Sequence, residues 1–254
     1  MIMPPALRRI LGSLLVVLLL SPREAFSAPG LPPATASLPQ TPFEVDVLAD
    51  HSKIPSRYES TVLGRRLLGL SKTGVLATVF PPNVTAPASG VPHDVALTPI
   101  GLPDYVASCE EPSGNPTLLA LTVSTSTRNA AAGSNVSLAL SWWDEYIKLT
   151  GREPWSAANL PRLSLIGYLE EIGLDEVQEK GIVHCYTGVH RDSLLWLPGE
   201  KWAAHKGVWM RLVVKDVYWI GGFGDRNFIG WFDVDEWKAV KEDEWKAVRL
   251  PGEA

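Results

Sequence analysis

The stretch Val208-Trp209-Met210-Arg211-Leu212-Val213-Val214-Lys215-Asp216-Val217-Tyr218-Trp219-Ile220-Gly221-Gly222 has only Arg211, Lys215 and Asp216 as charged residues. β-Branched and aromatic side chains dominate it, and these suit a pleated, half-buried surface. It reads as two strands or as one bent strand. Shorter segments of the same character stand upstream. Gly74-Val75-Leu76-Ala77-Thr78-Val79-Phe80 reads as a strand buried on both faces. His93 to Leu97 reads as a short strand, cut off from the next segment by Pro99, Gly101 and Pro103. Thr117 to Val123, Val136 to Trp143 and Leu163 to Ile172 add three more, and Ile229 to Phe232 a last short one.

Helical signals are fewer. Ser56-Arg57-Tyr58-Glu59 is a capping-box pattern, followed by Tyr58, Val62, Leu63, Leu67 and Leu70 at helical spacing. Thr125 to Ala132 reads as a helix-like turn of small residues. Asp175 to Val189 reads as one helix with Asp175 as N-cap. Asp233-Val234-Asp235-Glu236 opens a C-terminal helix, with acidic residues at its positive end. Six or seven strands with irregular spacing and no repeated βαβ unit predict a mainly β (α+β) fold, a closed antiparallel barrel with accessory helices. All ten tryptophans lie beyond residue 141, so the second half carries most of the aromatic packing.

Residues 1–28 bear on compartment. Arg8 and Arg9 precede the apolar run Ile10 to Leu20, and small residues stand at Ala25, Ser27 and Ala28. This is the layout of a secretory signal peptide, and a run of about 11 residues is short of the roughly 20 a spanning helix needs. The alternative is an uncleaved signal anchor. Residues 29–54, rich in Pro, Ala, Ser and Thr, read as a disordered linker, and 55–250 as the folded domain. Asn83-Val84-Thr85 and Asn135-Val136-Ser137 fit the N-glycosylation pattern. Cys109 and Cys185 either form one disulfide or remain as two buried thiols. The expected location is the secretory pathway, ending outside the cell or in a vacuolar or endolysosomal lumen. The net charge is −5 with no basic block, which argues against a nucleic-acid partner. No second apolar run is long enough to hold the chain in a membrane once the leader is cleaved.

The usual catalytic motifs are missing: there is no Gly-x-Ser-x-Gly elbow and no P-loop. His184, Cys185 and His190 are metal-ligand residue types, but no helix puts all three on one face, so no metal site is assigned and a metal-binding module through them is a minor alternative. His93 and His205 stand alone and read as structural residues or loop donors. Ser124-Thr125-Ser126-Thr127-Arg128-Asn129 places hydroxyls and a guanidinium between a strand and a helix start, the donors a phosphate needs, or else an N-cap with a surface arginine. Asp235-Glu236-Trp237-Lys238-Ala239-Val240 recurs as Asp243-Glu244-Trp245-Lys246-Ala247-Val248. That duplication reads as a lengthening of one terminal helix; the alternative is a paired tryptophan platform for a partner.

Several blocks, in order, resemble the CREG-like β-barrel domain, a branch of the pyridoxamine 5′-phosphate oxidase-like, FMN-binding split barrels. Leu67 through Val79 resembles its opening helix and strand, and Gly90-Val91-Pro92-His93-Asp94-Val95 its second strand. Ser126-Thr127-Arg128-Asn129 and Ser137-Leu138-Ala139-Leu140 resemble its third helix and fourth strand. His190, Trp196-Leu197-Pro198, His205, Trp209, Arg211-Leu212 and Tyr218 through Gly224 resemble its C-terminal half. The resemblance covers roughly residues 55–240. It implies a six-stranded antiparallel split β-barrel and a homodimer of side-by-side barrels, burying apolar positions of Thr117 to Val123 and Val136 to Trp143.

In flavin-using relatives FMN sits at that interface, its phosphate held by a Ser/Thr-Arg-Lys element. The matching cofactor-binding positions here are Ser126, Thr127, Arg128 and Asn129, with asparagine in place of the lysine. Asp94 to Pro99 offers no basic residue where the oxidases carry a second arginine, and the Pro103 to Pro116 insertion is long. These departures favour a non-catalytic, secreted or vacuolar glycoprotein without a cofactor, binding an unknown protein or glycan partner. The alternative is an FMN-binding oxidoreductase, with Trp or Tyr side chains from residues 209–231 flanking the ring.

Overall fold

The structure is a computed structural model and describes residues 54–84, 92–203 and 205–254. The leader, residues 29–53 of the linker, residues 85–91 and residue 204 lie outside the described residues. In chain order come helix α1 (Arg57–Leu70), strands β1 (Thr73–Val79), β2 (Pro99–Tyr105) and β3 (Thr117–Leu121), α2 (Thr125–Ala131), β4 (Val136–Ser141), α3 (Trp143–Thr150) and β5 (Arg162–Glu171). Next are α4 (Leu174–Glu179), α5 (Ile182–Val189), β6 (Gly207–Ile220), β7 (Ile229–Phe232), α6 (Val234–Ala239) and α7 (Glu242–Ala247).

The sheet is antiparallel in the order β2-β1-β4-β5-β6-β3, with β7 added to β6. Just past β2, Val106 N donates to Lys72 O, and Ala107 and Thr117 exchange both backbone hydrogen bonds. That bridge joins the end of β2 to the start of β3, so the sheet curls into a half-barrel whose two outer strands meet at this one point. The long run at 208–222 is one bent strand. Ile166 of β5 faces Asp216 and Gly167 faces Val214, so Lys215 is bulged out. The buried positions change phase there, from Leu212 and Val214 to Val217 and Trp219. Only glycine fits opposite the bulge, because a Cβ on Gly167 would stand 1.9 Å from Val213 O.

Three sequence expectations are corrected. The second strand is Pro99–Tyr105, and His93–Val95 is a 3-10 turn. Pro99 and Pro103 share strand parity on an outer strand, so their missing donors withdraw no bond from β1. Strand β1 is buried on one face: Leu76 and Thr78 point inward, while Val75 and Val79 are exposed. The helix expected over 175–189 is two helices, with Gly173 at the first cap and Gly181 in the left-handed region at the second, φ +62°.

Leu68, Leu76, Leu138, Leu165, Leu212, Val217 and Trp219 fill the main core. A second cluster, with Leu119, Ile182, Tyr186 and Trp209, lies under α4 and α5. Cys109 and Cys185 are disulfide-bonded across a sequence separation of 76, tying the segment after β2 to α5. Beside them the buried Glu110 carboxylate takes Lys180 at 3.1 Å and Arg211 at 3.0 Å.

Helix α1 carries a buried cation. The Arg65 side chain has no exposed surface. Its Nη1 donates to Trp237 O at 2.7 Å, Pro112 O at 3.1 Å and Val240 O at 3.3 Å, and its Nη2 pairs with Glu111. The guanidinium also lies 5.4 Å from the Trp237 ring centroid. The duplicated segments form α6 and α7, each burying its tryptophan against α1. The break at Val240-Lys241 lets Trp237 sit on Arg65 and Trp245 on Arg66. The duplication therefore makes neither one long helix nor an exposed platform.

Three substitutions test this packing. Alanine normally gains about 1 kcal/mol over glycine within a helix. At position 64, however, a Cβ would stand 2.9 Å from the Phe232 ring and 3.2 Å from Trp237. Gly64→Ala is expected to lose about 1–2 kcal/mol net, overpacking outweighing propensity, as read from urea unfolding. Arg65→Met leaves three carbonyls and a carboxylate without their donor and is expected to lose about 3–5 kcal/mol in the same assay. Cys185→Ser is expected to lose about 2–5 kcal/mol, and reducing agent should destabilise the parent but not the variant.

Candidate functional site

Helix α2 leaves the β3 turn under the control of Ser124. Ser124 Oγ accepts from Thr127 N at 3.2 Å and shares a 2.7 Å hydrogen bond with Thr127 Oγ1. Ser126 and Asn129 are buried. Asn129 Nδ2 donates to Thr78 Oγ1 at 3.0 Å, which pins α2 to β1. Arg128 is exposed and makes no hydrogen bond or ion pair among the described residues.

The four expected cofactor positions are thus contiguous in the chain but do not converge in space. A phosphate needs several donors aimed at one point. Of the four, Arg128 alone is a free charged donor; Ser126 and Asn129 face the interior, and the Thr127 hydroxyl is paired with the cap. The Asn129 amide is committed to holding the fold. Among these four side chains, Arg128 alone is left to meet an anion. The aromatic residues expected to flank a flavin are also dispersed. Trp209 and Trp219 lie in separate buried clusters, while Trp231 is exposed and packs on Tyr218 at 5.0 Å.

Ser124 also touches a cavity of about 260 Å³ between the end of β2, β3 and α5. Asp104, Tyr105, Leu119, Leu121, Tyr186 and Trp196 form its walls, and none of the described lining residues is Lys, Arg or His. Asp104 Oδ1 accepts from Tyr105 N at 2.8 Å, and burial pushes the carboxyl above its ordinary range. The Tyr186 hydroxyl accepts from Leu119 N at 3.3 Å. Burial drives its ionisation well upward, and the nearby Asp104 and Asp192 charges add to that. Tyr105 donates to Asp192 at 2.8 Å, and its ring stacks on His190 at 4.4 Å. His190 Nε2 lies 2.9 Å from Val106 O, beside the bridge between β2 and β3.

Sequence reasoning missed Asp104, Tyr105 and Tyr186. Pro103 makes its neighbourhood read as a break, and Tyr186 sits among small residues with no motif around it. The adjacency of Tyr186 to Cys185, already a candidate tether, was the available signal. The metal-ligand types at 184–190 are dispersed: Cys185 is in the disulfide, His190 is bound to Val106 O and His184 is exposed. Among the described residues no three His, Cys, Asp or Glu side chains are placed to share a metal ion.

Among solved structures, a heme-binding protein from Mycobacterium smegmatis superimposes with TM-score 0.51 at 17% identity, over 74% of this chain and 62% of that one. A protein of unknown function from Agrobacterium tumefaciens gives 0.44 at 24% identity, over 71% and 63%. A FAD-binding protein from Mesorhizobium loti gives 0.37 at 15%, over 65% and 94%. The chain thus spans less than two thirds of the length of the first two. No curated protein matches in sequence. The profile described as CREG, beta-barrel matches residues 55–239, from the α1 cap through α6. With the curled antiparallel sheet built over the same residues, this makes the chain a member of the CREG β-barrel family.

Proposed function

We propose that this is a glycoprotein of the secretory pathway whose split barrel binds a protein or glycan partner and performs no flavin chemistry. The observation that carries this is the commitment of the α2 donors: Asn129 is buried on Thr78, and the Ser124 and Thr127 hydroxyls are paired with each other. The leader directs the chain to an oxidising compartment, and the Cys109–Cys185 bridge is at home there. Asn83 and Asn135 are both exposed and are the proposed glycan sites. They lie at the same end of the barrel, since Ser134 accepts from Val79 N at the end of β1 and Asn83 comes shortly after. The destination is extracellular, or a vacuolar or endolysosomal lumen.

The protein acts as a homodimer in this reading. Thr117 to Ala120 of β3 are buried within the protomer, which leaves Val123 of the expected 117–123 segment exposed to a second copy. The outward side chains of β1 and β4 offer Val75, Val79 and Ala139. Light scattering on the eluting protein is expected to give twice the protomer mass, and Val75→Glu to reduce it to one.

The alternative is an FMN-dependent oxidoreductase, favoured by the unpaired Arg128 at the start of α2. Visible absorption of protein secreted by a eukaryotic host, before and after dialysis against excess FMN, separates the two. A flat spectrum with no uptake is expected. A flavin band near one per protomer that disappears in Arg128→Ala would establish the oxidoreductase instead. A lysine at this position, as in the flavin-using relatives, should not rescue binding: Asn129→Lys would bury an ammonium and orphan Thr78, with an expected loss of about 2–4 kcal/mol in thermal unfolding.

A further inference from the structure

The cavity beside the α2 cap has the wrong sign for a phosphate and the right sign for a cation. We propose that it binds a small organic ammonium group, held by the Asp104 carboxylate and the aromatic side chains of Tyr105, Tyr186 and Trp196. The inference concerns a half-open pocket of the folded domain and does not depend on secretion, glycans or the dimer.

Size sets the first limit. At about 260 Å³ the cavity falls just below the range of drug-sized sites, so it suits a compact ligand. Charge sets the second. Asp104 is the only carboxylate among the described lining residues, and no basic side chain balances it. One of its oxygens is held by Tyr105 N, while Oδ2 has no partner among the described residues. Asp192, on the Tyr105 hydroxyl, adds a second negative charge behind the wall. A carboxylate taken from water without a counter-ion is costly, and an entering cation relieves that cost.

The third limit is the wall chemistry. Two phenol rings, an indole and the Leu119 and Leu121 side chains can cover the alkyl part of an ammonium ion, and ring quadrupoles attract its charge. The Tyr186 hydroxyl accepts from Leu119 N, so its own proton remains for an acceptor group on the ligand. Phosphates and carboxylates meet only repulsion from Asp104.

The test is calorimetric titration of the secreted protein with choline chloride and n-butylammonium chloride. The neutral isostere 3,3-dimethyl-1-butanol and inorganic phosphate serve as controls. Saturable 1:1 binding of at least one ammonium probe is expected, with the isostere weaker by about tenfold or more. Asp104→Asn keeps the acceptor for Tyr105 N and should weaken ammonium binding by a similar factor while leaving the isostere unchanged. Leu121→Trp fills the cavity from a half-exposed position and should abolish binding with the melting temperature retained. The proposal is overturned if neither ammonium probe binds, if the isostere binds as well, if phosphate binds in preference, or if a folded Leu121→Trp variant still binds.

Discussion

The guanidinium of Arg65 is the contact through which the separate parts of this chain meet. It sits on α1, takes Pro112 and Glu111 from the segment after the β2–β3 bridge, and takes Trp237 and Val240 from the C-terminal helices. A buried charge is tolerated only when its donors are satisfied, and here only Nε lacks a partner. The backbones can come this close because Gly64 and Gly114 leave room. A Cβ on Gly64 would meet Phe232 and Trp237, and one on Gly114 would stand 2.6 Å from Trp237 Nε1. The Trp237 Nε1–H donates to Gly114 O at 3.1 Å, so the ring that stacks on the cation also fixes the turn beside it.

The segment from Val106 to Thr117 carries that constraint to the rest of the fold. Val106 bonds to Lys72 beside β1, Ala107 bridges to the start of β3, Cys109 bonds to α5, Glu110 pairs with Lys180 after α4 and with β6, and Glu111 and Pro112 reach Arg65. Neighbouring residues thus anchor to several different elements. Cross-linking a segment at many points removes its freedom, so each further contact there orders fewer groups anew. The same tethers hold Tyr105 and Tyr186 on either side of one cavity, which makes the β2–β3 bridge and the site geometry a single problem.

Much of the barrel was legible because its signals are local. The Ser56–Glu59 capping box, the β-prone run at 208–222 and the apolar runs at 117–123 and 136–143 are complete within a few residues; the last two became strands that end at Leu121 and Ser141, with Trp143 opening the unexpected α3. The misread parts depend on partners far away. Pro99 and Pro103 look like strand breakers until the sheet order places their strand at its outer position. The helix over 175–189 is broken by Gly181, whose left-handed conformation no periodicity encodes. The tandem repeat looked like a longer helix because the α1 glycines that receive its tryptophans lie more than 160 residues upstream. Ser126–Asn129 illustrates the limit for sites: the residue types suit a phosphate, but only the fold turns Asn129 toward Thr78 and away from a ligand.

An uncharged side chain at position 129 by itself takes one charged contact from an anion site. Two further features set the character of this region. Asn129 is integrated into the packing through Thr78 and faces away from the surface. The neighbouring cavity also has Asp104 where an anion site needs a cation. Coulomb terms between partly buried groups grow as the local dielectric falls, so one carboxylate in such a wall decides the sign of what can enter. The barrel can therefore present a cation-preferring pocket without any change in strand order. The substitutions that achieve this lie at the edges of the elements: at the end of β2, at the cap of α2 and on the helix that the disulfide holds in place.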